Sequence, residues 1–291
     1  MRSTYERLAK ETFGWLTEKT ITNYEPLKPH LKGARIKVLL KTWVNVIYLT
    51  SVLAFIVSFA SVLVFGMFFW SNQIIYLIML IFVPILGGAF TFLALYLYPM
   101  QRAKSRAKSI GNNLPFAVMH MAAIASSGIP PEFMFTLMSG FKEYGEISEE
   151  AGMIVKNIRT FGSSSVAAIK NVASQTPSKE FRDILMGITT TIETGGNMTS
   201  YLKEMSDKAL FDYRIKREKY LNTLSTYADV YTALLVAAPL FFLSTIAIMS
   251  IIGGEIMGLN PSVLVLLMTW LLLPIMNTAF LVFIHVTYPG V

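Results

Sequence analysis

Residues 176–242 read TPSKEFRDILMGITTTIETGGNMTSYLKEMSDKALFDYRIKREKYLNTLSTYADVYTALLVAAPLFF. An amphipathic helix is expected after Thr176-Pro177, with Phe181, Ile184, Leu185, Ile188 and Ile192 at the i, i+3, i+4, i+7 spacing of one buried face. Gly195-Gly196 then supplies a turn, and a long charged helix follows. From Tyr227 the chain becomes predominantly hydrophobic, with no flexible stretch in between. A water-soluble helical bundle is thus joined directly to a membrane span, and movement of one is expected to be felt by the other.

The rest of the chain extends this pattern. Of 291 residues, 54% are hydrophobic and only 15% charged, whereas soluble domains carry about 25% charged residues. Three further apolar runs accompany the one at Tyr227–Ile252: Trp43–Trp70, Ile74–Tyr98 and Ser262–Thr287. Each is long enough to cross a hydrocarbon core of about 30 Å. Trp43–Trp70 exceeds that length, so it should tilt or project. Pro84 and Gly87-Gly88 should kink the second run. A short turn at Ser71-Asn72-Gln73 makes the first two runs a hairpin.

Charge orients these spans. Nine Lys or Arg precede the first span and sixteen lie between the second and third, which accounts for all 25. Cytoplasmic segments accumulate such residues, so both termini and the bundle are expected in the cytoplasm of a multi-pass cell-membrane protein. The net charge of +7 is then a topological signal, and nucleic acid is not an expected partner. Four segments follow: an amphipathic N-terminal segment at 1–41, with Leu31, Ile36, Leu39 and Leu40 lying along the membrane surface; a transmembrane hairpin at 42–99; a bundle at 100–226; and two final spans at 227–291.

Within 100–226 the punctuation is helical throughout, so the fold class is all-α with four transmembrane helices and one cytoplasmic six-helix bundle. Leu114, Ala117, Val118, Met121 and Ala125 form one apolar stripe, and Met198, Tyr201, Leu202 and Met205 another. Gly128 ends a helix and Pro130-Pro131 begins the next. Ser148 before Glu149 and Glu150 reads as an N-cap. Tyr98-Pro99 and Tyr288-Pro289 form a weak internal echo, as if a second bundle would begin after the fourth span in a longer, duplicated relative.

Catalytic chemistry is not encoded in any familiar pattern. There is no G-x-x-x-x-G-K-[ST] phosphate loop, no G-x-S-x-G elbow and no H-E-x-x-H motif. Cysteine is absent, and His30, His120 and His285 are too scattered for a helical metal site. Neither a catalytic residue, a metal nor a cofactor is expected. Two charged groups are candidates for docking a partner: the acidic set Glu143, Glu146, Glu149 and Glu150, and the basic set Arg214, Lys216, Arg217 and Lys219, which could also meet anionic lipid. Asp229, one turn inside the third span, is a candidate for coupling at the membrane edge.

Several motifs, in this order, resemble the F-domain platform proteins of type II secretion and type IV filament systems, closest to the archaeal and Tad-type branch. They are Leu114-Pro115-Phe116, Ser127-Gly128-Ile129-Pro130-Pro131, the run from Gly162 to Ile169, Thr176-Pro177 through Asp183, and Glu193-Thr194-Gly195-Gly196-Asn197 with Tyr201-Leu202. The resemblance spans roughly residues 100–250. It marks Pro115, Gly128, Pro130, Gly162, Pro177, Gly195 and Gly196 as structural positions. It implies a platform that couples a cytoplasmic hexameric secretion ATPase to the assembly of pilin-like subunits into a pilus, archaellum or secretion filament. One F domain is present where related platforms have two, so self-association or pairing with a second platform chain is expected. The alternative is a small transporter or channel subunit with a regulatory bundle, for which the spans offer few polar residues.

Overall fold

The structure, a computed structural model, describes residues 2–69, 73–253 and 260–287. Trp70, the turn at Ser71-Asn72, the loop 254–259 and the Tyr288-Pro289 echo lie outside the described residues. Among those described the chain is helical, with no strand, and four helices are long and apolar enough to cross a membrane: Leu40–Gly66, Tyr76–Ser126, Met198–Ile252 and Pro261–His285. The chain divides into two units, residues 1–209 and 210–291.

In the first unit, α1 (Arg2–Thr20) is followed by a 3-10 turn (Ile21–Tyr24), α2 (Leu27–Gly33) and α3 (Leu40–Phe69). The N-terminal segment differs from expectation. Its second helix ends at Gly33, Leu31 is buried, and Leu39 is exposed outside any helix. The helix that lies against α3 is α1. Tyr5 bonds Thr50 (2.9 Å), Thr20 bonds Tyr48 (3.0 Å), and buried Thr17 donates to buried Asn45. A helix as charged as α1 stays in water or headgroups, so α3 projects about ten residues beyond the hydrocarbon. Consistently, its continuous exposed apolar surface begins at Val52 and runs to Phe65, and that of its partner runs from Leu77 to Leu93.

That partner is α4 (Gln73–Ser126), 54 residues long. It carries Pro84, Pro99 and Pro115 within it, so the second span and the first bundle helix are a single element without a break at residue 99 or 100. Gly87 and Gly88, expected as part of a kink, let α4 approach α3. A Cβ at Gly87 would lie 3.0 Å from Ser58 Oγ, and one at Gly88 3.4 Å from Phe55 Cβ. Gly88→Leu should therefore weaken the hairpin by about 1–3 kcal/mol through overpacking, measurable as reduced resistance to denaturation in mixed micelles. Gly111→Leu, on open helix surface, is the matched control and should be nearly silent.

The bundle continues with α5 (Pro131–Gly140), α6 (Glu146–Phe161), α7 (Ser165–Ala173), α8 (Lys179–Thr194) and α9 (Met198–Tyr231). Together with the second half of α4 these make six helical segments around one core. That core contains the expected stripe Leu114, Ala117, Val118, Met121 and Ala125, with Met134, Phe135, Met138, Ile154, Ile169, Phe181, Leu185, Ile188 and Leu202. Helix ends follow backbone freedom: Gly128, Gly162 and Gly195 have φ of 73°, 62° and 66°, the left-handed conformation that a helix stop requires. Pro131 opens α5 at its first turn, with Pro130 as its cap.

Two starts shift from the sequence expectation. Gly145 (φ 54°), rather than Ser148, caps α6, because Ser148 lies inside the helix and donates to Ser139 O at 2.9 Å. For α8 the cap is Ser178, whose Oγ accepts from Phe181 N at 3.3 Å, two residues after Thr176.

In the second unit the chain leaves α9 through a π-helical turn (Thr232–Ala237) into α10 (Ala238–Ile252). The return path is α11 (Pro261–Leu267), a second π turn (Met268–Leu272) and α12 (Leu273–Thr287). Each π turn precedes a proline, Pro239 and Pro274. A proline ring collides with the carbonyl four residues back, here Leu235 and Trp270, and both fall inside the widened turns. Tyr231 pairs with Phe280 (ring centroids 5.3 Å) and Tyr227 with Phe283 (5.8 Å), zipping α9 to α12.

Candidate functional site

The acidic set lies around the first turns of α6, but it is not a uniform surface patch. Glu143 and Glu149 are exposed, Glu146 is half-buried, and Glu150 is 1% exposed. What holds Glu150 inside is Arg106 of α4, itself 5% exposed. The guanidinium of Arg106 uses its whole fork: Nε donates to Glu146 Oε2 (2.8 Å), Nη2 to Glu150 Oε1 (2.8 Å), and Nη1 to the carbonyl of Gly33 at the end of α2. A planar fork of this kind is suited to bridging two carboxylates and a carbonyl at once.

A second arginine completes the cluster. Arg35, in the link from α2 to α3, has φ 53°, a conformation unusual for a residue with a side chain. Its Nη1 lies 3.5 Å from Glu146 and 3.7 Å from Glu149, and its Nη2 lies 4.0 Å from Glu150. Burial pushes the Glu150 carboxyl above the usual carboxylate range, against the pull of Arg106, Thr176 and Arg35. The Thr176 hydroxyl favours the charged form from nearby, yet neither it nor Glu150 Oε2 closes a hydrogen bond of normal geometry. Burial, then repulsion from Arg106, lowers Arg35 from its ordinary value. The cluster works as a staple: it ties the connection before the first span to the base of the bundle.

Neither arginine was singled out from sequence. Arg106 sits in the basic run QRAKSRAK, where every cation looked like a topology signal. The usable sign was periodicity: stepping back from Leu114 along its stripe reaches Ile110, Arg106 and Ala103, all buried.

The remaining candidates are placed as follows. Arg214, Lys216, Arg217 and Lys219 are all exposed on α9, within the second unit. Asp229 is exposed and has no ion pair among the described residues. Asn277, an amide in the fourth span, accepts from Tyr231 (3.2 Å) and donates to Leu273 O (2.9 Å), and Asn45 is taken by Thr17. Among the family-type positions, Pro115 lies within α4, Pro177 packs toward Gly33, and Gly195-Gly196 joins α8 to α9, where Asn197 caps α9 through Ser200 N at 3.0 Å. No group of three metal-ligating side chains occurs among the described residues.

Four apolar helices and a helical bundle built on two of them define an all-α, multi-pass membrane protein. Residues 117–245 match the family model of the type II secretion system (T2SS), protein F, so this stretch of the chain is a domain of that family.

Among curated relatives, an uncharacterised protein of Methanocaldococcus jannaschii is 29% identical over 60% of the chain and 28% of its own length. The flagella accessory protein J of the same organism is 21% identical over 68% of the chain and 34% of its own length. Flagella accessory protein J of Methanococcus voltae is 22% identical over 67% of the chain and 34% of its own length. The aligned part thus covers about a third of each of these relatives. No solved structure matches the chain.

Proposed function

We propose that the protein is a membrane platform of a type IV filament assembly machine. It receives force from a cytoplasmic hexameric secretion ATPase and passes it to pilin-like subunits at the membrane. The observation that supports this most directly is helix continuity. Residues 73–126 run unbroken from span to bundle core. A helix without a break moves as a rod, which suits a part that relays a displacement. The excess of Lys and Arg on the bundle side supports a cytoplasmic bundle and cytoplasmic termini.

The test is co-purification with a secretion ATPase of the same organism, together with loss of surface filaments on deletion. An ATPase that neither binds the full-length protein nor is needed with it for filaments rules the proposal out. Within the acidic set, Glu143 and Glu149 are the exposed members, Glu149 reaching Arg35 only at 3.7 Å. Glu143→Lys with Glu149→Lys is expected to weaken ATPase capture about tenfold if this face is the docking surface, since like charges across an interface cost affinity. Unchanged capture assigns docking elsewhere, with the exposed Arg214, Lys216, Arg217 and Lys219 group the next surface to reverse.

A further inference from the structure

A cavity of about 600 Å³ opens between α2, α4 and the turn from α7 to α8. Its lining includes Lys28, His30, Lys32, Lys104, Lys179 and Arg182, and no Asp or Glu. None of the four lysines has an ion pair among the described residues, whereas both arginines of the neighbouring staple face carboxylates. Five cations around one concavity without a counter-charge repel one another, and their mutual repulsion falls when an anion enters.

The cavity is also built. Arg182 is fixed by donating to Ala173 O (3.2 Å) and Thr176 O (2.9 Å), so it faces a ligand already ordered. The floor is closely packed, because a Cβ on Gly33 would meet Pro177 at 3.3 Å and Ala103 at 3.4 Å. Its level matters too. Trp43 stacks on Tyr98 (6.3 Å), the aromatic pairing typical of the headgroup zone, and Lys104 lies six residues further along α4, about 9 Å at 1.5 Å per residue.

We propose that this cavity binds a phosphate group, carried either by an anionic lipid headgroup or by a soluble phosphate compound. The lysines supply charge, and the ordered Arg182 guanidinium supplies a directed fork for phosphate oxygens.

The experiment is native mass spectrometry of the full-length protein in detergent, offered phosphatidylglycerol, phosphatidylcholine or inorganic pyrophosphate. One bound phosphatidylglycerol or pyrophosphate is expected. Retention should fall about tenfold or more in the variant carrying Lys28→Gln, Lys32→Gln, Lys104→Gln and Lys179→Gln. A charge-matched variant with Lys142→Gln, Lys156→Gln, Lys203→Gln and Lys208→Gln should retain the ligand. Should the fourfold pocket variant fail to fold, the exposed single changes Lys28→Gln and Lys104→Gln keep the test open, each lowering retention about threefold. Binding of phosphatidylglycerol alone assigns a lipid headgroup, and binding of pyrophosphate alone assigns a soluble phosphate. Three results overturn the proposal: no retention of either, equal loss in the charge-matched variant, or capture of a polyglutamate peptide in place of both phosphates.

Discussion

Arg106→Ala is expected to destabilise the full-length protein by about 3–5 kcal/mol, the cost of removing one partner from a buried ion pair. Glu150, 1% exposed in the folded protein, would be left with Arg35 as its cation in range, 4.0 Å away. The loss should depend on pH in a definite direction. In the folded protein the Glu150 carboxyl already titrates above its ordinary value because of burial, so folding favours its protonated form. The stability linked to this group is fully present below the unfolded value of about 4.3. It is lost as pH rises through the higher folded value.

Without Arg106 the folded value rises further, so the cost of Arg106→Ala should be greatest at neutral pH and smaller near pH 4. Glu150→Gln should remove that slope. The double change Arg106→Met with Glu150→Met should recover most of the loss, since apolar replacement of a buried pair is often neutral. Unfolding in detergent across this pH range, with trypsin cleavage after Arg35 and Lys37 as a second readout, checks each statement. A loss below about 1 kcal/mol, typical of exposed pairs, would show that the staple is solvated.

Phe181→Ala should cost a comparable amount, about 3–5 kcal/mol. Phe181 is 1% exposed in the six-segment core, and its amide is held by the Ser178 cap. Truncation opens a cavity where α8 meets its neighbours, and neither a rotamer change nor entering water can fill an apolar void at low cost. Phe161→Ala, at 69% exposure on the last turn of α6, should change stability by no more than about 0.5 kcal/mol. Equal losses at the two positions, by denaturant titration of the purified protein, would contradict the core described above.

These two positions also separate what was legible in sequence from what was not. Phe181 was placed on a buried face by its spacing to Ile184, Leu185 and Ile188, and the structure buries all four. Glu150 was placed on an acidic surface by its neighbours in sequence, and the structure buries it. Apolar spacing reports a helix face because burial on one face repeats every 3.6 residues. A lone charge on that face carries no such repeat. Its fate depends on whether a counter-ion arrives from elsewhere, and here it arrives from residues forty-four positions away.

The same distinction holds across the molecule. The amino-acid sequence by itself determined the helical class, the apolar spans, the bundle stripes and the glycine stops, because each follows from local periodicity, from length against membrane thickness, or from the φ range of glycine. Tertiary structure alone decided that α1 packs along α3, that the second span and first bundle helix are one rod, that Arg106 joins α6 to the carbonyl of Gly33 seventy-three residues earlier, and that lysines from three separate helices line one cavity. The physical reason is that these features consist of pairings between segments distant along the chain. Many pairings satisfy the same local pattern, and the close packing of the whole selects among them.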